Sequence, residues 1–128
     1  MILPDNPWNR FVARATGDAL RIEQEAPLYA LFWYQAEVNN GGHYQYFLNR
    51  PNPSEWALAI SAARGLAQDD VADTLADAVR RWQGTQRQAP ESPEEFVAEA
   101  LEDEFGDYDG RFYALESGLF AAMERAVS

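Results

Sequence analysis

The chain has 128 residues, 47% hydrophobic and 13% aromatic, a composition that excludes intrinsic disorder and can bury roughly two-thirds of the unfolded surface in one core. Acidic residues number 21 against 10 basic ones, all arginine, for a net charge of -11, which repels nucleic acid and anionic membranes and attracts basic partners. With no cysteine, disulfides, thiolate metal sites and a cysteine nucleophile are excluded, and a reducing, cytoplasmic setting is expected.

No composition shift, repeat or low-complexity stretch divides the chain, so residues 1–128 are expected to form a single acidic helical domain. The N-terminus has neither a basic stretch nor an apolar core, so no secretory signal is expected. The longest apolar run, residues 28–34, is too short to span a bilayer.

The first helix is expected after Asp5 or Asn6 with Pro7 at its first position, and it carries Trp8, Phe11, Val12 and Ala15 at helical spacing until Gly17. Residues 18–25 read as a short helix or a connector. A second helix over 27–40 is dense in apolar residues (Leu28, Leu31, Phe32, Val38), and Gly41-Gly42 stops it in a tight helix-to-helix reversal. A short helix over 43–49 follows, broken by Pro51 and Pro53. Ser54 is expected to cap a helix carrying Trp56, Ile60 and Ala63 that ends at Gly65.

The next helix, 68–82, has the apolar stripe Val71, Leu75, Val79 and Trp82. Residues 83–89 read as a polar linker. Ser92-Pro93-Glu94-Glu95 is a helix start, with a serine cap, proline at the first position and glutamate three residues after the cap. That helix should continue to Phe105 and face Phe96, Val97, Ala100 and Leu101 inward. Residues 106–110 read as a turn. A last helix over 111–126 should bury Phe112, Leu115, Leu119, Phe120 and Met123. No window alternates as a strand does, so the expected fold is an all-α, compact bundle of about six or seven helices.

Two segments can carry function. The first is Glu37-Val38-Asn39-Asn40-Gly41-Gly42-His43-Tyr44-Gln45-Tyr46-Phe47-Leu48-Asn49. Asn39 or Asn40 can cap the exposed backbone groups, and Glu37, Gln45 and Asn49 can form a network that fixes the corner. The alternative is a ligand or enzymatic site, an open pocket in which Glu37 acts as a base and His43 assists. His43 is the sole histidine, which removes most metal-site and triad geometries. Trp33, Tyr34, Tyr44 and Tyr46 flank the corner, either as core or, if exposed, as anchors for a partner.

The second segment is a set of carboxylate rows. Asp69, Asp73 and Asp77 share one helix face, with Asp70 beside them. Glu94, Glu95, Glu99, Glu102, Asp103 and Glu104 crowd the next helix, and no basic residue stands between Arg87 and Arg111. These rows read either as a solvated face or as a surface for a basic partner. Duplex DNA carries about one charge per 1.7 Å, whereas the carboxylates of residues 94–104 lie over a rise of about 15 Å, or roughly one per 2.5–3 Å. One helix falls short of duplex density; two helices, or a homodimer, could approach it over a limited patch. Residues 107–116 invite a calcium-loop reading, but Phe105 would occupy the first ligand position and cannot ligate. No cofactor motif, nucleotide loop or zinc spacing is present in the sequence, so no metal, cofactor or catalytic residue is assigned.

The pattern E-V-N-N-G-G, then Q-Y-F and a closing Asn49, resembles the bacterial DNA-mimic-protein C-terminal domain family. Residues 105–113, Phe-Gly-Asp-Tyr-Asp-Gly-Arg-Phe-Tyr, are similar to that family's L-D-x-x-F-Y segment, with Tyr108 where leucine is usual. The likeness runs from about residue 28 to 113. It implies an all-helical fold and no established catalytic activity. It also implies a role like that of the best-known member, an acidic protein that imitates DNA and occupies the DNA-binding surface of a transcription factor. The expected function is therefore that of a protein-binding module, not an enzyme, which presents carboxylate-rich helices to a basic partner such as a DNA-binding protein. An immunity or inhibitor protein against a toxin or nuclease would use the same surface.

Overall fold

The computed structural model describes residues 6–16, 26–84, 91–95 and 104–127. Within them the chain is helical, with no strand: α1 (Pro7–Thr16), α2 (Ala26–Asn49), α3 (Pro53–Gly65), α4 (Asp69–Gln83) and α5 (Gly106–Val127), together with a helical stretch at residues 93–95. The expected all-α fold is observed. The readings for Gly17, for residues 18–25, for the linker beyond Gly84 up to residue 90, and for residues 96–103 lie outside the described residues, as do the side chains of Ala15 and of Glu99, Glu102 and Asp103.

Local chemistry sets the boundaries. Asn6 accepts the Asn9 amide on its side chain at 2.8 Å and so caps α1 ahead of Pro7. Ser92 takes the Glu95 amide at 3.0 Å, as its cap pattern requires. The cap of α3 is Asn52, not Ser54. Pro53 holds the first helical position and restricts its predecessor to extended backbone, the conformation an N-cap needs. Asn52 adopts φ -131° and ψ 102°, and its side-chain oxygen accepts from Ser54 and Glu55.

Residues 106–110 form the start of α5, not a turn. Asp107 and Asp109 in its first turn favour the positive end of the helix dipole. Gly110 has open space around it, so it is tolerated inside the helix at a modest propensity cost. An incipient calcium loop is thereby removed, since these residues are helical.

The helices share one core. Phe11 of α1, Leu31, Tyr34, Val38, Tyr46 and Phe47 of α2, Trp56 of α3, Val71 and Leu75 of α4, and Phe112, Leu119 and Met123 of α5 all enter it. Helix α2 is buried around much of its circumference, and its tyrosines 29, 34 and 46 are fully internal. Phe120, expected inside, is 37% exposed. It lies edge-on against Trp8 of α1 at 4.8 Å between ring centres, covering the margin of the core. Among the described residues no helix is long and apolar enough to cross a membrane.

Candidate functional site: the glycine corner and the acidic face

The Gly41-Gly42 pair makes a kink inside α2 rather than a reversal between separate helices. Gly41 has φ -161°, a value any residue reaches, so its requirement is spatial. A β-carbon there would overlap the Gln45 side-chain oxygen. The absent side chain lets Gln45 fold across the kink, where its Nε2 donates to Glu37 Oε2 at 3.3 Å. Asn49 Nδ2 donates to the same oxygen at 2.7 Å. Glu37 before the kink is thus stapled to two amides after it. Gly42 has φ 80° and ψ -179°, a region essentially confined to glycine, and a β-carbon there would meet Asp109 Oδ2 at 2.6 Å.

Asp109 of α5 closes the corner. One of its carboxylate oxygens accepts the His43 backbone amide at 2.8 Å and faces His43 Nδ1 at 2.6 Å. An ionised carboxylate only accepts, so Nδ1 carries the proton and Nε2 accepts the Tyr34 hydroxyl at 2.7 Å. The carboxylate therefore caps the second half of α2 from a distant helix and holds the imidazole in one tautomer. Tyr113, also of α5, donates to the Val38 carbonyl at 3.1 Å, one turn before the kink, where a disturbed helix needs a donor. Asn39 and Asn40, the expected caps, are exposed, and their side chains make no hydrogen bond among the described residues. Asp109 and Tyr113 do that work instead.

His43 has no exposed surface and both ring nitrogens are engaged. Gln45 and Asn49 both donate to Glu37. These pairings engage the polar groups of the corner with one another and with α5. Trp33 is half-buried beneath the Arg50 guanidinium, 4.7 Å from its ring centre. Tyr34 and Tyr46 are internal and Tyr44 is half-buried.

Burial pushes the Tyr34 and Tyr46 hydroxyls well above the ordinary tyrosine value. Tyr46 and Asp109 reinforce the shift at Tyr34, and Glu55 reinforces it at Tyr46. A group whose folded pKa is raised contributes stability that is complete below its unfolded value, about 10, and lost as pH rises above it. Each of these two tyrosines should therefore steepen the fall in unfolding free energy above pH 10 by about 1.4 kcal/mol per pH unit. The chain has no lysine or cysteine to titrate beside them. Absorbance at the phenolate band, followed with helical circular dichroism, should show the buried ones among the six tyrosines, Tyr34 and Tyr46 with them, ionising only as helix is lost. Ionisation of all six with the helices intact would contradict it.

The acidic face is partly matched by the protein's own cations. Asp69, Asp70 and Asp73 are exposed along α4, with Asp77 half-buried. Arg64, at the end of α3, approaches Asp69 at 3.7 Å and Asp73 at 2.9 Å. Asp77 is held by Arg80 and, from α5, by Arg111 at 3.1 Å. Glu104 pairs with Arg81 at 2.9 Å. Glu94 and Glu95 are exposed, and the Glu95 carboxylate accepts the Glu91 amide at 3.1 Å. The face is thus a lattice of carboxylates with guanidinium groups among them, a feature the carboxylate spacing alone did not disclose.

Hollows lined by described residues open on the surface. One, of about 320 Å³, lies between α4 and α5 beside Asp70. Another, of about 170 Å³, lies between α2 and α3, where Arg50 and Glu55 face each other.

Taken together, these features define an all-helical acidic domain in which a kinked helix is locked by a carboxylate and a tyrosine from the last helix. The chain belongs to the DMP19-like protein family, whose model matches residues 19–128. The match extends beyond residues 28–113 at both ends. No curated protein and no solved structure matches the chain.

Proposed function

We propose that this protein is an acidic protein-binding module that acts as a DNA mimic, offering carboxylates of α4 and of residues 94–104 to the basic face of a DNA-binding protein. The observation that carries the reading is the exposed row Asp69, Asp70 and Asp73 on a chain of net charge -11 that belongs to the DMP19-like family. Each carboxylate stands in for a phosphate and accepts charge-assisted hydrogen bonds from arginine or lysine. The intramolecular arginines do not oppose this strongly. Exposed ion pairs contribute about 0–1 kcal/mol, so a partner's guanidinium can displace Arg64 or add to it. In this reading the glycine corner is architectural and carries no catalysis.

Binding of this kind weakens with salt. Immobilised protein should retain basic DNA-binding proteins from lysate at low salt and release them at high salt. Converting Asp69, Asp70 and Asp73 to asparagine should weaken retention by about tenfold for each carboxylate that bonds the partner. Retained proteins that are not basic, or retention indifferent to salt, would overturn the reading.

A further inference from the structure

The hollow between α4 and α5 has a composition that selects one kind of occupant. Ala114 and Leu115 of α5 supply an apolar side, with Asp70 and Asp73 opposite, and Thr74 and Arg111 complete the lining. Its volume of about 320 Å³ is at the small end for a ligand pocket, the scale of a single long side chain. The Thr74 hydroxyl is used internally, donating to the Asp70 carbonyl at 2.8 Å. Arg111 is turned to Asp77, and Asp73 has Arg64 on one oxygen. The Asp70 side chain has no partner among the described residues.

Charge around the hollow does not cancel. Asp69, Asp73 and Asp77 pair with the guanidinium groups of Arg64, Arg80 and Arg111, and with Asp70 the carboxylates number four against three, the surplus negative charge residing at Asp70 on the rim. Arginine combines an apolar stem with a planar cation that bonds carboxylates in a fork.

We propose that this hollow receives one arginine side chain of the partner, its stem along Ala114 and Leu115 and its guanidinium on Asp70 and the free oxygen of Asp73. This rests on the protein-binding reading above and adds a specific socket to it. The socket would set register, whereas the rest of the acidic face supplies non-specific attraction.

The test is nuclear magnetic resonance of the isotope-labelled full chain, titrated with the capped tripeptide Gly-Arg-Gly and with its norleucine counterpart. The arginine peptide should give saturable shifts at the amides of residues 70–74 and 111–115, and the norleucine peptide none. Asp70→Asn should weaken the arginine response about tenfold, while Glu91→Gln, an exposed residue outside the lining of the hollow and outside the proposed binding carboxylates, should leave it unchanged. Shifts spread evenly over the acidic surface, or an Asp70→Asn response equal to wild type, would overturn the socket. Salt-sensitive capture of basic proteins that persists undiminished in Asp70→Asn would sink the socket and leave the protein-binding reading standing. Loss of basic partners from the wild-type capture would remove that reading itself, whatever the peptide does.

Discussion

Replacing Gly42 by alanine should cost about 3 kcal/mol of unfolding free energy, the backbone region alone costing roughly 1–3 kcal/mol for a residue with a β-carbon. The second contribution is steric. The new β-carbon would sit 2.6 Å from Asp109 Oδ2, so the carboxylate must withdraw, and with it the bonds to the His43 amide and imidazole. For a domain of this length the melting temperature should fall by roughly 10 °C. Gly110→Ala is the control. That glycine lies in α5 with nothing within 4 Å of an added β-carbon, and alanine is the better helix former, so it should be neutral or stabilising by up to about 1 kcal/mol. Thermal unfolding by circular dichroism reads both. Equal effects of the two substitutions would mean that the kink does not carry the strain assigned to it.

The contrast between these two glycines also shows what the sequence could and could not convey. Both looked like breaks. Gly42 is one, because the chain needs its positive φ. Gly110 is not, because the aspartates before it start a helix. Helix α4 was legible because Val71, Leu75 and Val79 recur at helical spacing on one side with carboxylates on the other. Helix α2 was harder: Tyr29, Tyr34, Tyr46 and Phe47 are buried in different directions, and a helix wrapped by its neighbours has little periodicity to read. Glu37, Gln45 and Asn49 were recognisable as a polar network because their partners are near in sequence. His43 was not recognisable as the centre of a buried chain of bonds, since its partner Asp109 lies 66 residues away. The two family motifs are therefore one physical unit, α5 gripping the kink in α2. Likewise the Asp69, Asp73, Asp77 row was correctly placed on one face, but Arg64 and Arg111 reach it from other helices.

This interlock yields the other large effect. Asp109→Ala should cost about 2–4 kcal/mol, because it leaves two donors of a fully buried histidine, the backbone amide and Nδ1, without an acceptor, at roughly 1–3 kcal/mol each. Water entering beside the partly exposed carboxylate position, 23% accessible, keeps the sum below its maximum. Asp109→Asn retains an acceptor oxygen and should cost less, about 1–2 kcal/mol, through loss of the charge alone. Tyr34→Phe tests whether the bonds act as a chain. In the wild type, Asp109 fixes the tautomer with Nε2 as acceptor, and removing the Tyr34 hydroxyl strands that nitrogen. In Asp109→Ala the ring is free to exchange tautomers, so Tyr34→Phe should cost less there than in the wild type. The double-mutant cycle, measured by urea unfolding, should show a coupling of about 1 kcal/mol, whereas strict additivity would separate the two bonds. The same helix turn carries Arg111 to Asp77 and forms one wall of the hollow. Loosening Asp109 should therefore also weaken the arginine-peptide response at residues 111–115, which links the corner to the acidic face through the position of α5.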